Sequence, residues 1–175
     1  MTESVHSSEK TENTLSQTTE DADAFYQKVE NVCFFFEVKD EQQLKKIREW
    51  VEMEKKKFRL LKILICSRFR PNPDQLPEDA VVFSKKDFSI FGWKKPPLNL
   101  WLKDNSFDLL ISFSPVLNKR SLQIVKEVHS NLKAGPGMLE DPTLYDLSIE
   151  YNRPMEYADF FEWIRKYYLQ LNIKQ

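Results

Sequence analysis

Glycine is scarce in this chain: three residues in 175, Gly92, Gly135 and Gly137. Nucleotide phosphates are commonly cradled by Gly-rich loops that bring backbone N–H groups close, and neither a GxGxxG nor a Walker pattern is present. AGPG (134–137) reads instead as a turn that ends a strand. Histidine is scarcer still. His6 lies near the start of the chain and His129 near the expected end of a helix, where it can cap carbonyls. Two imidazoles do not make a histidine-rich metal centre, and no ligands cluster at zinc spacing, so neither a metal nor a cofactor is expected. No apolar stretch reaches the roughly 18 residues that span a bilayer, and the N-terminus lacks the basic and apolar regions of a signal peptide.

The two cysteines, Cys33 and Cys66, sit inside the apolar runs VCFFFEV and KILICSRF. They read as buried strand residues of a protein in a reducing compartment, and a cytoplasmic location is expected. A bridge between neighbouring strands is the lesser alternative. Nucleophilic chemistry needs a base beside the nucleophile. Cys66–Ser67 has no base near it in sequence, and Ser112 and Ser114 lack the GxSxG elbow. Asp108 falls at a strand start, where active sites are rarer. Asp146 and Glu150 share one face of an expected edge strand, which reads as ordinary solvation. No reaction is named by these residues.

Charge is present in quantity but nearly balanced, with 26 Lys+Arg against 27 Asp+Glu and a net of −1. Nothing global therefore demands nucleic acid or a membrane surface. The distribution is uneven. Residues 1–24 carry six acids against Lys10, a net of −5, whereas residues 45–70 carry ten Lys/Arg against three Glu, a net of +7. Charge runs of this kind are usually solvated faces.

Residues 1–23, rich in Ser, Thr, Glu and Asp, have too little apolar surface to offset ordering entropy and are expected to be a disordered tail. Residues 24–175 are expected to form one α/β domain. VCFFFEV (32–38), LKILICSRF (61–69), AVVF (80–83) and FDLLISF (107–113) are continuous apolar runs suited to strands covered on both faces. Asp40 with Gln43 opens an amphipathic helix through Phe58. PPLNLWLKD (96–104), NKRSLQIVKEVHS (118–130) and MEYADFFEWIRKYYLQL (155–171) complete the helices. LKAG (132–135) and YDLSIEY (145–151) are separated by a link too brief for a crossover helix, which predicts an antiparallel pair. The expected architecture is a three-layer sandwich, Rossmann-like or flavodoxin-like, around a mostly parallel, mixed sheet of about five to six strands.

Ligands in such folds bind beyond the carboxyl ends of strands. That rule selects Lys39 and Asp40, Arg68 and Arg70, Ser84 to Lys86, and Ser112 to Asn118. It also selects the stretch FSKKDFSIFGWKKPP (83–97), where lysines alternate with rings. Three readings fit the stretch: core aromatics beneath solvated lysines, a partner-docking loop, or a surface that grips phosphate while a ring stacks on a base. The candidate ligand-binding residues are Lys85, Lys86, Asp87, Trp93, Ser112, Ser114 and Asn118. A candidate basic patch comprises Arg68, Arg70, Lys94 and Lys95.

The blocks FSKKDFSIFGW (83–93), FDLLISF (107–113), HSNLKAG (129–135) and YDLSIEY (145–151) resemble a family of small bacterial α/β proteins of unassigned function. The likeness runs over roughly residues 30–171 and is most specific in the first block. HSNLKAG departs from the family's SKAKFKVG type. The resemblance implies one compact cytoplasmic domain and no particular reaction. The expected function is a non-catalytic binding or adaptor module that uses residues 84–97, with a protein partner and no membrane. The alternatives are an enzyme or binder acting on a phosphate-bearing ligand, of nucleotide or nucleotide-sugar type, and a weak nucleic-acid binder.

Overall fold

The computed structural model describes residues 23–137, 141–151 and 154–171. The tail expected over residues 1–23 lies outside this range except for Asp23, which stands at the start of a short helix, α1 (23–28). The remaining elements follow in the order β1 (Asn31–Val38), α2 (Glu41–Lys55), β2 (Leu60–Ser67), β3 (Ala80–Phe83), α3 (Pro96–Asp104), β4 (Ser106–Ser112), α4 (Lys119–Glu127), β5 (His129–Pro136), β6 (Leu147–Ile149) and α5 (Tyr157–Gln170).

The strands form one six-stranded sheet in the order β3-β2-β1-β4-β5-β6, and every pairing within it is parallel. This is the doubly wound order of the Rossmann fold rather than the flavodoxin order. The unbroken apolar runs explain why β1, β2 and β4 sit in the interior: each needs a helical layer on both faces. Alternation along β1 sends Phe34 and Phe36 to one layer and Cys33 and Phe35 to the other.

The first layer holds α1, α2 and α5 over a cluster of rings. Phe34 stacks on Trp50 at 5.3 Å, Phe36 on Phe113 at 4.8 Å, and Phe161 meets Phe34 edge-on at 5.5 Å. Such pairs add about 0.5–1.5 kcal/mol each beyond the area they bury. Phe25 brings α1 onto the same cluster through Phe161 and Tyr168. The second layer is thinner. There Leu98 and Leu102 of α3 and Ile124 and Val125 of α4 cover Phe35, Leu64 and Leu110.

Two expectations are corrected. The last two strands pair in parallel, with Ala134 opposite Leu147 and Pro136 opposite Ile149. A crossover needs apolar cover for the sheet rather than a helix as such. The connection supplies Leu144 and Tyr145, both buried in the second layer. Tyr145 lies so close over Gly135 that a Cβ there would come within 2.3 Å of its ring. Asp146 then pins the returning strand: its N–H donates to the Lys133 carbonyl at 2.8 Å and its carboxylate accepts from the Lys133 N–H at 2.8 Å. Asp146 and Glu150, both exposed as expected, flank this three-residue edge strand. His129 is likewise the first residue of β5 rather than part of a helix end, because α4 stops at Glu127. Among the described residues, no helix is long and apolar enough to cross a membrane.

Candidate functional site

The carboxyl ends of β1 to β4 open on two cavities. One, of about 790 Å³, lies between Asp40 and Gln43 at the start of α2 and Tyr151 and Tyr157 near α5. Its charges are mixed: Lys46 lines it together with Asp40 and Glu156. The other, of about 800 Å³, lies outside the ends of β2 and β3 and beneath the start of α4. Arg68, Arg70, Lys85, Lys86 and Arg120 surround it, and Phe69, Val82 and Phe83 give it an apolar wall. Of these five cations only Arg68 has a carboxylate partner among the described residues. The second cavity is thus a cationic cleft of a size suited to a small ligand.

Local chemistry explains how each cation arrives there. Arg68 and Arg70 leave β2 where SRFRP breaks the strand, and Ser67 turns the chain by accepting from the Phe69 N–H and donating to its carbonyl. Lys85 and Lys86 occupy a single 3-10 turn (Lys85–Asp87) that follows β3 directly. Ser84 and Asp87 form a reciprocal cap on this turn: the Ser84 N–H donates to the Asp87 carboxylate at 2.8 Å, and the Lys86 N–H donates to Ser84 Oγ at 3.2 Å. Asp87 is therefore committed to holding the two lysines in place. Arg120 sits in the first turn of α4, with its guanidinium 5.6 Å from the Phe88 ring centre.

Asn118 binds the cleft to the sheet. Its side chain caps α4 by accepting from the Arg120 and Ser121 N–H groups at 2.9 and 3.1 Å. Its own N–H donates to the Glu37 carboxylate at 3.0 Å, and its amide reaches the Cys66 sulfur at 3.5 Å. The positive end of α4 therefore faces the same space as the five cations. Glu37, 6% exposed at the end of β1, also accepts from Arg68 at 3.1 Å. Burial by itself raises the Glu37 carboxyl, but hydrogen bonding from Asn118, aided by Arg68, outweighs it, and the pKa lies below the ordinary carboxylate value. The Cys66 thiol on the cleft floor is pushed up, chiefly by burial. Cys33, deeper in the second layer, is pushed up by burial alone. Both thiols are free.

The candidates from the sequence divide by position. Lys85, Lys86, Asn118, Arg68 and Arg70 come together around the cleft. Ser112 and Ser114 are buried and do not line it, and Ser114 Oγ accepts from the Glu37 N–H at 2.6 Å. Lys94 lies elsewhere, in an ion pair with Glu127 at the far end of α4, and Lys95 stands at the N-cap of α3. Trp93 points into solvent. Glu37 and Arg120 are additions from the structure. The one signal for Glu37 was an acid inside an otherwise apolar run. Arg120 was hidden in an amphipathic helix pattern, where a basic residue has no distinguishing mark.

Beside the cleft, residues 88–94 form a small closed hairpin. Phe88 and Lys94 make an antiparallel bridge, and the Ser89 N–H donates to the Trp93 carbonyl at 2.7 Å. Ser89 Oγ accepts from the Phe91 and Trp93 N–H groups at 3.3 and 3.1 Å, and Gly92 takes φ 84° to close the turn. Phe88 is buried, whereas Ile90, Phe91 and Trp93 are 95%, 82% and 74% exposed.

Among solved structures, the glycosyl transferase family 9 protein from Veillonella parvula is similar to this chain. The TM-score is 0.45 at 17% identity, over 83% of this chain and 42% of that one, so this chain spans less than half of that protein's length. No curated protein matches the sequence. A family model does match, over residues 6–171, and by that match the chain belongs to DUF6913, a family of unknown function.

Proposed function

We propose that this protein is a binding module for a phosphate-bearing small ligand, of nucleotide or nucleotide-sugar type, taken into the cationic cleft at the carboxyl edge of the sheet. The observation that carries the reading is the gathering of five cations around one cavity, with only Glu37 to balance them among the described residues. Phosphate oxygens suit Arg68, Arg70 and Arg120, whose forked donors can bind them two at a time. Lys85 and Lys86 supply point charge, and the positive end of α4 adds to it. Phe69, Val82 and Phe83 offer an apolar wall to a base or sugar. The cleft is built without a glycine loop, so side chains replace the usual backbone donors. The SKKDF…FG block, which holds both cleft lysines, is in this reading the signature of a bacterial, cytoplasmic family. Two free buried thiols support that compartment.

Thermal unfolding with UDP or ADP, compared with uridine or adenosine, tests the reading. The diphosphates stabilise the protein, by about 2.7 kcal/mol at roughly a hundredfold excess over Kd, and the nucleosides do not. The double variant Arg70→Ser/Arg120→Ser loses the effect without losing its fold. Equal stabilisation by nucleosides and diphosphates, or none by either, would sink the proposal. Tighter binding to a single-stranded oligonucleotide, falling steeply with salt, would favour nucleic acid instead.

A further inference from the structure

The hairpin at 88–94 is a second feature with no role in the cleft reading. We infer that it anchors the protein peripherally on an anionic membrane surface, with Ile90, Phe91 and Trp93 entering the interfacial layer.

The tip is a built structure. Its backbone closes on itself through the Phe88–Lys94 bridge, the Ser89 hydrogen bonds and Gly92, and its base is nailed to the second layer by the buried Phe88 ring. A hairpin so constrained has lost little more freedom to lose, so contact made by its tip costs little ordering entropy. Yet three large apolar side chains are held out in water, each at least 74% exposed. Exposed apolar groups clustered in this way mark an interaction surface.

Shape and charge select the occupant. The tip is convex, so a protein partner would have to provide a pocket deep enough for an isoleucine, a phenylalanine and a tryptophan at once. A bilayer interface accepts such side chains without a matching shape, and tryptophan is favoured at that depth. Lysines flank the tip on both sides: Lys85 and Lys86 precede it and Lys95 follows it. Arg120, over the Phe88 ring, stands at the junction of hairpin and cleft. Cations adjoining an apolar tip in the chain complement anionic headgroups at the depth where the rings enter hydrocarbon. Peripheral attachment needs neither a spanning helix nor a net positive chain, because only the local field within about 10 Å of the surface acts.

Co-sedimentation of the full chain with phosphatidylcholine vesicles and with phosphatidylcholine–phosphatidylglycerol vesicles tests the inference. The expected result is partition to the phosphatidylglycerol vesicles with a blue shift of tryptophan fluorescence, and weak partition to phosphatidylcholine alone. Phe91→Ser/Trp93→Ser lowers the partition at least about tenfold, the order set by withdrawing one buried ring. Both positions are exposed, so an unchanged unfolding temperature certifies the variant's fold. Absence of binding by the unaltered chain, or binding that survives the tip variant, overturns the inference; so does tip-dependent association with a protein but not with vesicles. The cleft reading stands or falls separately: the tip variant keeps nucleoside diphosphate binding, and Arg70→Ser, which alters none of the cations assigned to the tip, keeps the fluorescence shift.

Discussion

Glu37→Gln is the substitution from which most can be learned. It preserves volume at the end of β1 and removes one buried charge. The native carboxylate accepts from the Asn118 N–H at 3.0 Å and from Arg68 at 3.1 Å. Hydrogen bonds to a charged group contribute about 1.5–3 kcal/mol each. The Arg68 side chain is 64% exposed, so its share shrinks to a few tenths through solvent screening. The Asn118 bond is half-buried and keeps more of its value. A glutamine retains one acceptor but turns N–H donors towards other donors. The expected loss is about 2 kcal/mol at neutral pH, seen as a fall of about 4–8 °C in unfolding temperature for a domain of this size. The pH dependence supplies an internal check. The folded pKa lies below the unfolded value of 4.5, so the contribution is complete above that pH and fades as pH falls through the folded pKa. The difference between the unaltered protein and the variant therefore narrows in acid. Urea titrations from neutral to acid pH would measure it. A variant as stable as the parent at neutral pH, or a difference that widens on acidification, would refute this account of Glu37.

Other substitutions probe separate links. Gly135→Ala drives a methyl group into the Tyr145 ring at 2.3 Å, and overpacking of that kind is expected to cost about 1–3 kcal/mol in a urea titration. Asp40→Ala removes the side-chain acceptor for the Gln43 N–H at the N-cap of α2 and is expected to cost about 1 kcal/mol by the same measurement. Alkylation followed by mass spectrometry should leave Cys33 unmodified in the native state, modify Cys66 slowly, and modify Cys66 more slowly still when the cleft is filled, since burial disfavours both thiolates.

How far the chain could be read in advance follows from the range of the interactions involved. Strands covered on both faces must be apolar throughout, so VCFFFEV, KILICS, AVVF and FDLLIS announced themselves locally, and the helices between them carried caps, prolines and one apolar stripe each. The class of fold and the rim that collects Arg68, Arg70, Lys85, Lys86 and Asn118 were therefore open to sequence reasoning. The direction of β6 was not. It depends on Leu144 and Tyr145 crossing the second layer without a helix, and a loop's route over a sheet leaves no periodic mark. Nor could composition separate Lys94, drawn into a pair with Glu127, from Lys86, left at the cleft. The same limit hid the distinction between Phe88, sealed against α4, and Phe91, held in water three residues later. Local propensity decides where helices and strands form, because it acts over neighbouring residues. Which charges stay unpaired and which rings stay bare is decided only when distant segments meet, because a partner such as Glu37 for Arg68, or Glu127 for Lys94, lies dozens of residues away along the chain and within hydrogen-bonding reach only in the fold.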